Sequence, residues 1–182
     1  GDKIFKEYGG QVGYSFAPGD MSVTMSASYE TQADNFSDAT YRNAAWDVYG
    51  KVGMGAVSLW AEHTTIGKKM DSASNQFNGG QVEPSTTYVE ANYDFNAMGK
   101  DMTLGANYET NHKALSWRED KSSWGASLAT SWWKNTGQKL TFTRYTLYKT
   151  SDSTTGTGSQ ATARTGQGGH ENMVNFVFGA NF

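Results

Sequence analysis

The chain has no cysteine and only two prolines among its 182 residues, and charged residues make up just 18% of it. Without cysteine there is no disulfide to staple a small core and no thiolate metal site. Scarce proline leaves long stretches of backbone able to donate every amide hydrogen to a neighbour. The 15 basic residues are scattered among 18 acids, so no basic patch suited to nucleic acid arises, and nucleic acid is not expected as a partner. No apolar run approaches the roughly 20 residues of a membrane-spanning helix, and mean hydropathy is -0.64. Helical periodicity and heptads are missing too. Glycine, by contrast, occurs 21 times, and aromatic residues reach 14%. Tyr and Trp in such numbers suit a boundary where the ring is buried and the polar tip is wet.

The dominant pattern is a two-residue alternation, the signature of strands with one apolar face. It occupies nine segments, at about residues 4–16, 21–30, 41–51, 56–65, 85–95, 102–111, 124–132, 139–149 and 171–182. The second is the cleanest: Met21, Val23, Met25, Ala27 and Tyr29 oppose Ser22, Thr24, Ser26, Ser28 and Glu30. The eighth is muddled, with Leu140 and Phe142 on one face and Tyr145 and Leu147 on the other, and a bulge near Arg144 would reconcile them. Soluble strands average roughly 5 to 6 residues, while a tilted strand needs roughly 9 to 11 to cross a bilayer. The segments here fit the second length.

The connections sort by parity. Those after the first, third, fifth and seventh segments are short. Those after the second, fourth, sixth and eighth are longer; residues 66–83 form a long polar stretch, and residues 151–169, rich in Ser, Thr and Gly, read as a flexible loop. Aromatics sort by height along the strands: Tyr8, Tyr29, Tyr108 and Trp124 near the long-loop ends, Phe16, Phe95, Trp132 and Phe182 near the short-turn ends. Eight residues at about 3.3 Å each, tilted near 40°, give roughly 20 Å between the two bands.

The last segment alternates Val174, Phe176, Phe178 and Ala180 and ends on Phe182. Taken alone it could be an amphipathic strand of a soluble sandwich. An alternating strand whose final residue is aromatic resembles the closing strand of bacterial outer-membrane β-barrels, where the terminal Phe serves as an assembly signal. With strand length and turn parity added, the chain resembles the C-terminal part of a bacterial porin, and more narrowly the porin domain of the outer-membrane tethering proteins of diderm Firmicutes. The resemblance implies an all-β, antiparallel transmembrane meander, integral to the bacterial outer membrane and in contact with its lipid, and a homotrimer as a possible assembly.

Phe182 at the periplasmic end makes the ninth strand descend, and counting back makes the first descend as well. Such barrels normally have an even strand count. Either one strand escapes the pattern, or residues 1–182 are a single barrel domain lacking N-terminal strands that complete a larger wall. Truncation is the expectation, since Gly1-Asp2-Lys3 shows neither an initiator Met nor a leader.

Chemistry of other kinds finds little footing. His63, His112 and His170 lack metal-ligand spacing, and no triad or phosphate-cradling motif stands out, so no catalytic residue, metal or cofactor is expected, and the chain does not read as an enzyme. The inward face is informative instead. Glu7, Glu30, Asp47, Glu62, Glu90, Asp94 and Glu109 point to it, with Lys51, Arg144 and Lys149 as its basic members. Charges there require water or partners. In a wide pore the acids would bias passage toward cations. In a narrow barrel they would pair with bases and fill the interior, but few long basic side chains are on hand. The sequence therefore predicts a passive diffusion channel for small hydrophilic solutes or ions with a mild cation preference. The rival is a small structural or adhesive barrel acting through its loops.

Overall fold

A computed structural model describes residues 8–33, 42–67, 75–81, 83–115, 120–156 and 164–180. Glu7 and Phe182, both placed at functional positions by the sequence, lie outside the described residues. No helix in the described residues is long and apolar enough to cross a membrane. The fold is all-β. Nine long strands, β1 (Tyr8–Phe16), β2 (Met21–Ala33), β3 (Arg42–Met54), β4 (Val57–Ile66), β7 (Ser85–Ala97), β8 (Lys100–His112), β9 (Ser122–Thr130), β10 (Thr136–Thr146) and β13 (His170–Ala180), pair in chain order as one antiparallel meander. Four short strands, β5 (Asn75–Phe77), β6 (Gly80–Gln81), β11 (Ser153–Gly156) and β12 (Arg164–Thr165), make a second sheet in the order β12-β11-β5-β6.

Turn parity holds. β1 and β2, β3 and β4, β7 and β8, and β9 and β10 are joined tightly, and the longer connections all emerge at the opposite end. The β7–β8 turn consists of Met98 at φ 54° and Gly99 at φ 69°, the paired left-handed conformations that match the twist of a two-residue hairpin. Asn78 and Gly79 do the same for β5 and β6, at φ 51° and 77°.

The long loops are not loose ends. β11 pairs with β5, setting Thr154 opposite Phe77 and Gly156 opposite Asn75. Asn78 reinforces the junction: its backbone N–H donates to Ser153 O at 2.8 Å, its side chain accepts from Ser153 N at 2.8 Å and donates to Asp152 Oδ1 at 3.0 Å. The sequence expectation of a flexible loop over 151–169 is thus corrected for its described part. A Ser/Thr/Gly-rich segment can still form a strand when a partner segment is held beside it.

The meander leans. Phe16, the last residue of β1, connects rung by rung through Val23, Val52, Leu59, Ala91, Ala106, Ala126 and Phe142 to Val174, six residues short of the end of β13 at Ala180. Six residues at about 3.3 Å, over eight strand spacings of about 4.8 Å, is a lean of roughly 30°. Such a stagger is what closing a sheet into a barrel requires. The described sheet is open: β1 and β13 are its edges, and an antiparallel run of nine strands makes them point the same way.

A hydrophobic core hardly exists. The buried apolar residues among those described are Ala44, Met102, Ala114, Leu115 and Tyr148. The large apolar side chains instead coat one face. Val12 is 70% exposed, Leu59 54%, Leu104 51%, Leu140 50% and Phe176 67%. Strand register puts all of them on the same side of the sheet. The other side is polar and carries most of the hydrogen bonds between strand side chains. This is the reverse of a soluble sheet, whose apolar face is covered.

Candidate functional site

The polar face follows from the period of two. Each long strand alternates small or polar residues with apolar ones, so in-register pairing collects most of the polar strand residues on one surface. Glu30, Asp47, Glu62, Glu90, Asp94 and Glu109 all fall there, as the sequence predicts. Asp101 and Glu171, which the sequence reading did not include, join them. The basic strand residues described on this face are Lys51, as expected, and Lys139. Lys149 lies beyond β10, exposed in the connection that follows.

Arg144 is a correction. β10 pairs with both neighbours without a bulge, placing Arg144 opposite Trp124 and Asn172, on the apolar face beside Phe142 and Leu140. The muddled phase has a simple cause: Leu147 lies past the end of β10, and Tyr145 belongs to the polar face. Arg144 sits toward the long-loop end, level with Tyr108 and Trp124, where a long cationic side chain can bury its stem and keep its head wet.

The polar side chains form chains of hydrogen bonds. Tyr88 Oη donates to Glu90 Oε2 at 2.5 Å and accepts from Asn107 Nδ2 at 3.0 Å, while Asn92 Nδ2 donates to Glu90 Oε1 at 2.7 Å. Thr103 donates to Asp94 at 2.6 Å, and Thr64 to Asp47 at 3.1 Å. Near the loops, Thr86 donates to Asn111 Oδ1 at 2.7 Å and Asn111 Nδ2 donates to Glu109 at 2.7 Å. Two glycines make room for this network. A Cβ on Gly105 would lie 2.7 Å from Ser127 Oγ and 2.8 Å from Asn92 Oδ1, and one on Gly125 would lie 2.6 Å from Asn107 Oδ1 and 2.9 Å from the Phe142 carbonyl.

Aromatic rings stand on this face as well. Tyr49 and Trp60 have centroids 5.8 Å apart, and Trp60 and Tyr88 4.6 Å. Tyr49 and Trp60 are on this side in the sequence alternation. Tyr88 is in phase with Glu90 and Asn92, so the same rule places it on this face.

The remaining aromatics form two bands on the apolar face. At the long-loop end Tyr29 faces Trp46 and Tyr108 faces Trp124 across strands. At the short-turn end stand Phe16 against Tyr14 at 5.4 Å, Phe95 stacked on Tyr93 at 5.8 Å, and Phe178 against Trp133 at 6.4 Å. Trp132 lies in the turn just after β9, its backbone N–H donating to Gln138 Oε1 at 2.9 Å. Tyr8 begins β1 and pairs with Thr31. Between the bands the face is mainly aliphatic. His63 is a polar exception there, bonded to Thr87 Oγ1 at 2.7 Å with its ring 5.3 Å from Trp46. No group of three or more His, Cys, Asp or Glu able to hold a metal ion occurs among the described residues.

The connections at the long-loop end are tied to one another. Tyr148 is buried; its hydroxyl donates to the Asn111 carbonyl and accepts from Ala114 N at 2.9 Å, and its ring meets Phe77 at 5.5 Å. One side chain thereby joins three connections. Asp120, at the same end, has its carboxyl pushed up by burial, with the charges of Glu171 and Glu109 adding to the effect.

No family model and no solved structure matches this chain. It is 27% identical over 163 residues to a UPF0422 protein of Coxiella burnetii (strain RSA 493 / Nine Mile phase I), covering 83% of this chain and 35% of that protein. The chain therefore spans about a third of the relative's length, and the relative's name states no activity.

Proposed function

We propose that this chain is the wall of an outer-membrane β-barrel forming a passive, water-filled channel for small hydrophilic solutes or ions, with a mild preference for cations. The observation that carries the reading is the inverted polarity of the sheet. A continuous face of Val, Leu, Met and Phe is exposed, and the opposite face is a hydrogen-bonded polar surface. In water such a face costs roughly 25 cal/mol per Å² left uncovered. Against lipid it is the stable arrangement, because each inner strand of the meander is paired on both sides and β1 and β13 are its two edges. The bands of aromatics, the short-turn and long-loop ends and the stagger of the ladder fit the same picture. Closure falls to partners for β1 and β13. Because these edges run in the same direction, an odd number of further strands closes the wall antiparallel.

Glu30, Asp47, Glu62, Glu90, Asp94 and Glu109 would line the lumen, with Glu171 and Asp101, against Lys51 and Lys139. An excess of one sign in a confined aqueous path focuses potential and favours the opposite ion. The test is single-channel recording in a planar bilayer with the folded protein. Discrete openings that favour cations in a salt gradient support the reading, and electrical silence of correctly folded, membrane-inserted protein sinks it.

A second reading is favoured by the fastened loops. Phe77, Asn78, Tyr148 and Asp152 hold the outer connections in a fixed surface, as a barrel that works by adhesion through its loops would need. That reading gains if inserted protein conducts nothing.

A further inference from the structure

One row across the polar face alternates phenols and carboxylates. Tyr49 lies opposite Glu62, Glu62 opposite Tyr88, and Tyr88 opposite Glu109. Beyond Ser123 the row continues through Tyr145 to Glu171. Trp60, one step toward the short turns, fills the gap between Tyr49 and Tyr88 with ring centroids at 5.8 and 4.6 Å. The basic strand residues described on this face, Lys51 and Lys139, lie outside the row, Lys51 at the register position opposite Trp60. The rings are held in place: Tyr88 is fixed between Glu90 and Asn107 at 2.5 and 3.0 Å, and its ring packs on Trp60.

We propose that this row is a binding track for small organic cations, of the quaternary-ammonium or alkylamine class. The proposal rests on the reading of the polar face as the lining of an aqueous path. A strongly hydrated inorganic cation gains from the carboxylates and little from the rings. An alkylammonium is weakly hydrated, so it can meet a ring face directly while its charge stays near a carboxylate. A neutral sugar could stack on the same rings, but it would leave the excess of Glu over Lys uncompensated. Charge and aromaticity together therefore select a ligand that is both cationic and apolar. The alternation matters because any position along the row offers both kinds of contact, so a bound ion can step from Tyr49 toward Tyr145 without losing either.

The probe is choline, compared with its uncharged isostere 3,3-dimethyl-1-butanol, with sodium ion and with glucose. Binding is measured by calorimetry on the protein folded in zwitterionic micelles, and passage is measured by bilayer recording. Choline will bind in the millimolar range and slow the current, and the alcohol and glucose will not. Trp60→Leu will weaken choline binding by roughly three- to thirty-fold, the span expected for losing a ring partner of a cation. Trp60→Phe, which keeps a ring, will retain most of the binding, separating ring loss from misfolding. Glu62→Gln will weaken choline as well. The proposal is overturned if the alcohol or glucose binds as choline does, or if Trp60→Leu leaves choline binding intact in folded protein. Choline binding without any conductance would retain the track and sink the channel. A cation-selective conductance indifferent to Trp60 would do the reverse.

Discussion

The ring of Tyr148 meets that of Phe77 edge-on, centroids 5.5 Å apart and planes at 61°, and this contact links two loops 71 residues apart in the chain. Tyr148 is buried and its hydroxyl serves Ala114 N and the Asn111 carbonyl at once. Removing the hydroxyl alone, in Tyr148→Phe, leaves a buried N–H without its partner and will cost about 1–3 kcal/mol. Tyr148→Ala also opens a gap beside Phe77 and will cost about 3–5 kcal/mol. Hydrogen exchange reads the local effect: the amides of β5 and β11 lose protection while those of β3 and β4 keep it. Unaltered protection at Asn78 and Thr155 would show that the junction does not depend on Tyr148.

Ser127 and Leu128 are chain neighbours on opposite faces. Leu128 lies between Leu104 and Leu140, and Ser127 between Gly105 and Thr141. If the apolar face meets lipid, Leu128→Arg puts a charge near mid-bilayer at about 2–4 kcal/mol, whereas Ser127→Arg keeps its charge hydrated. Folding yield into lipid vesicles will fall much further for Leu128→Arg. Equal yields would refute a lipid-facing assignment for β9.

Alternation was enough to place nearly all of the polar face, because a strand with one apolar side has only two phases and a single clear run fixes it. It failed where the period was diluted. In β13 the polar-face residues Glu171 and Asn175 are interleaved with Met173 and Val177 on that same face, so Glu171 was not seen as a member. At Arg144, Tyr145 on one side and Leu147 beyond the strand end imitated a phase shift. The pairing of β5 with β11 left no trace in the sequence, because both are short, polar and joined only by tertiary proximity. Strand count and turn parity survived, since each depends on many residues rather than one.

The glycines of the polar face differ in the space around them. Gly125→Ala forces its methyl against Asn107 Oδ1 and the Phe142 carbonyl, at 2.6 and 2.9 Å from the ideal Cβ, while Gly137→Ala points into open space. Denaturant unfolding in micelles will show a loss of about 1–3 kcal/mol for Gly125→Ala, as expected for overpacking against backbone. Gly137→Ala will lie within about 0.5 kcal/mol of the parent. Indistinguishable midpoints for the two would mean the sheet relaxes freely at β9.

Asp120 gives the fold a pH dependence of defined sign. Its carboxyl is raised in the folded state by burial and by Glu171 and Glu109. Above the ordinary aspartate value near about 4, the folded protein still holds a proton that the unfolded chain has released. Stability from this group therefore grows as pH falls into that window and is lost as pH rises through the folded-state value. Asp120→Asn removes the titration. Unfolding midpoints across mildly acidic pH will slope downward with rising pH in the parent, and less so in the variant. A parent slope that survives the substitution undiminished would assign the effect to other groups.

The last prediction concerns the acids of the phenol–carboxylate row. Glu62, Glu109 and Glu171 share one register line. Glu90 stands outside it, its two oxygens occupied by Tyr88 and Asn92 at 2.5 and 2.7 Å. Converting the three row members to Gln removes three charges at nearly constant shape and keeps the Tyr88–Glu90–Asn92 network whole, so folding yield will be little changed. In a potassium chloride gradient the reversal potential will move toward zero, because the row no longer concentrates cations over anions. Salt acts in the same direction: the Debye length falls from about 10 Å at 0.1 M to about 3 Å at 1 M, so the parent's preference will also weaken as salt rises. The triple variant, with less field to screen, will show a flatter salt dependence than the parent. Glu90→Gln alone is the control, expected to disturb stability more than selectivity, since it breaks a charge-assisted bond to Tyr88. An unchanged reversal potential in the triple variant would mean that the ions do not pass along this row.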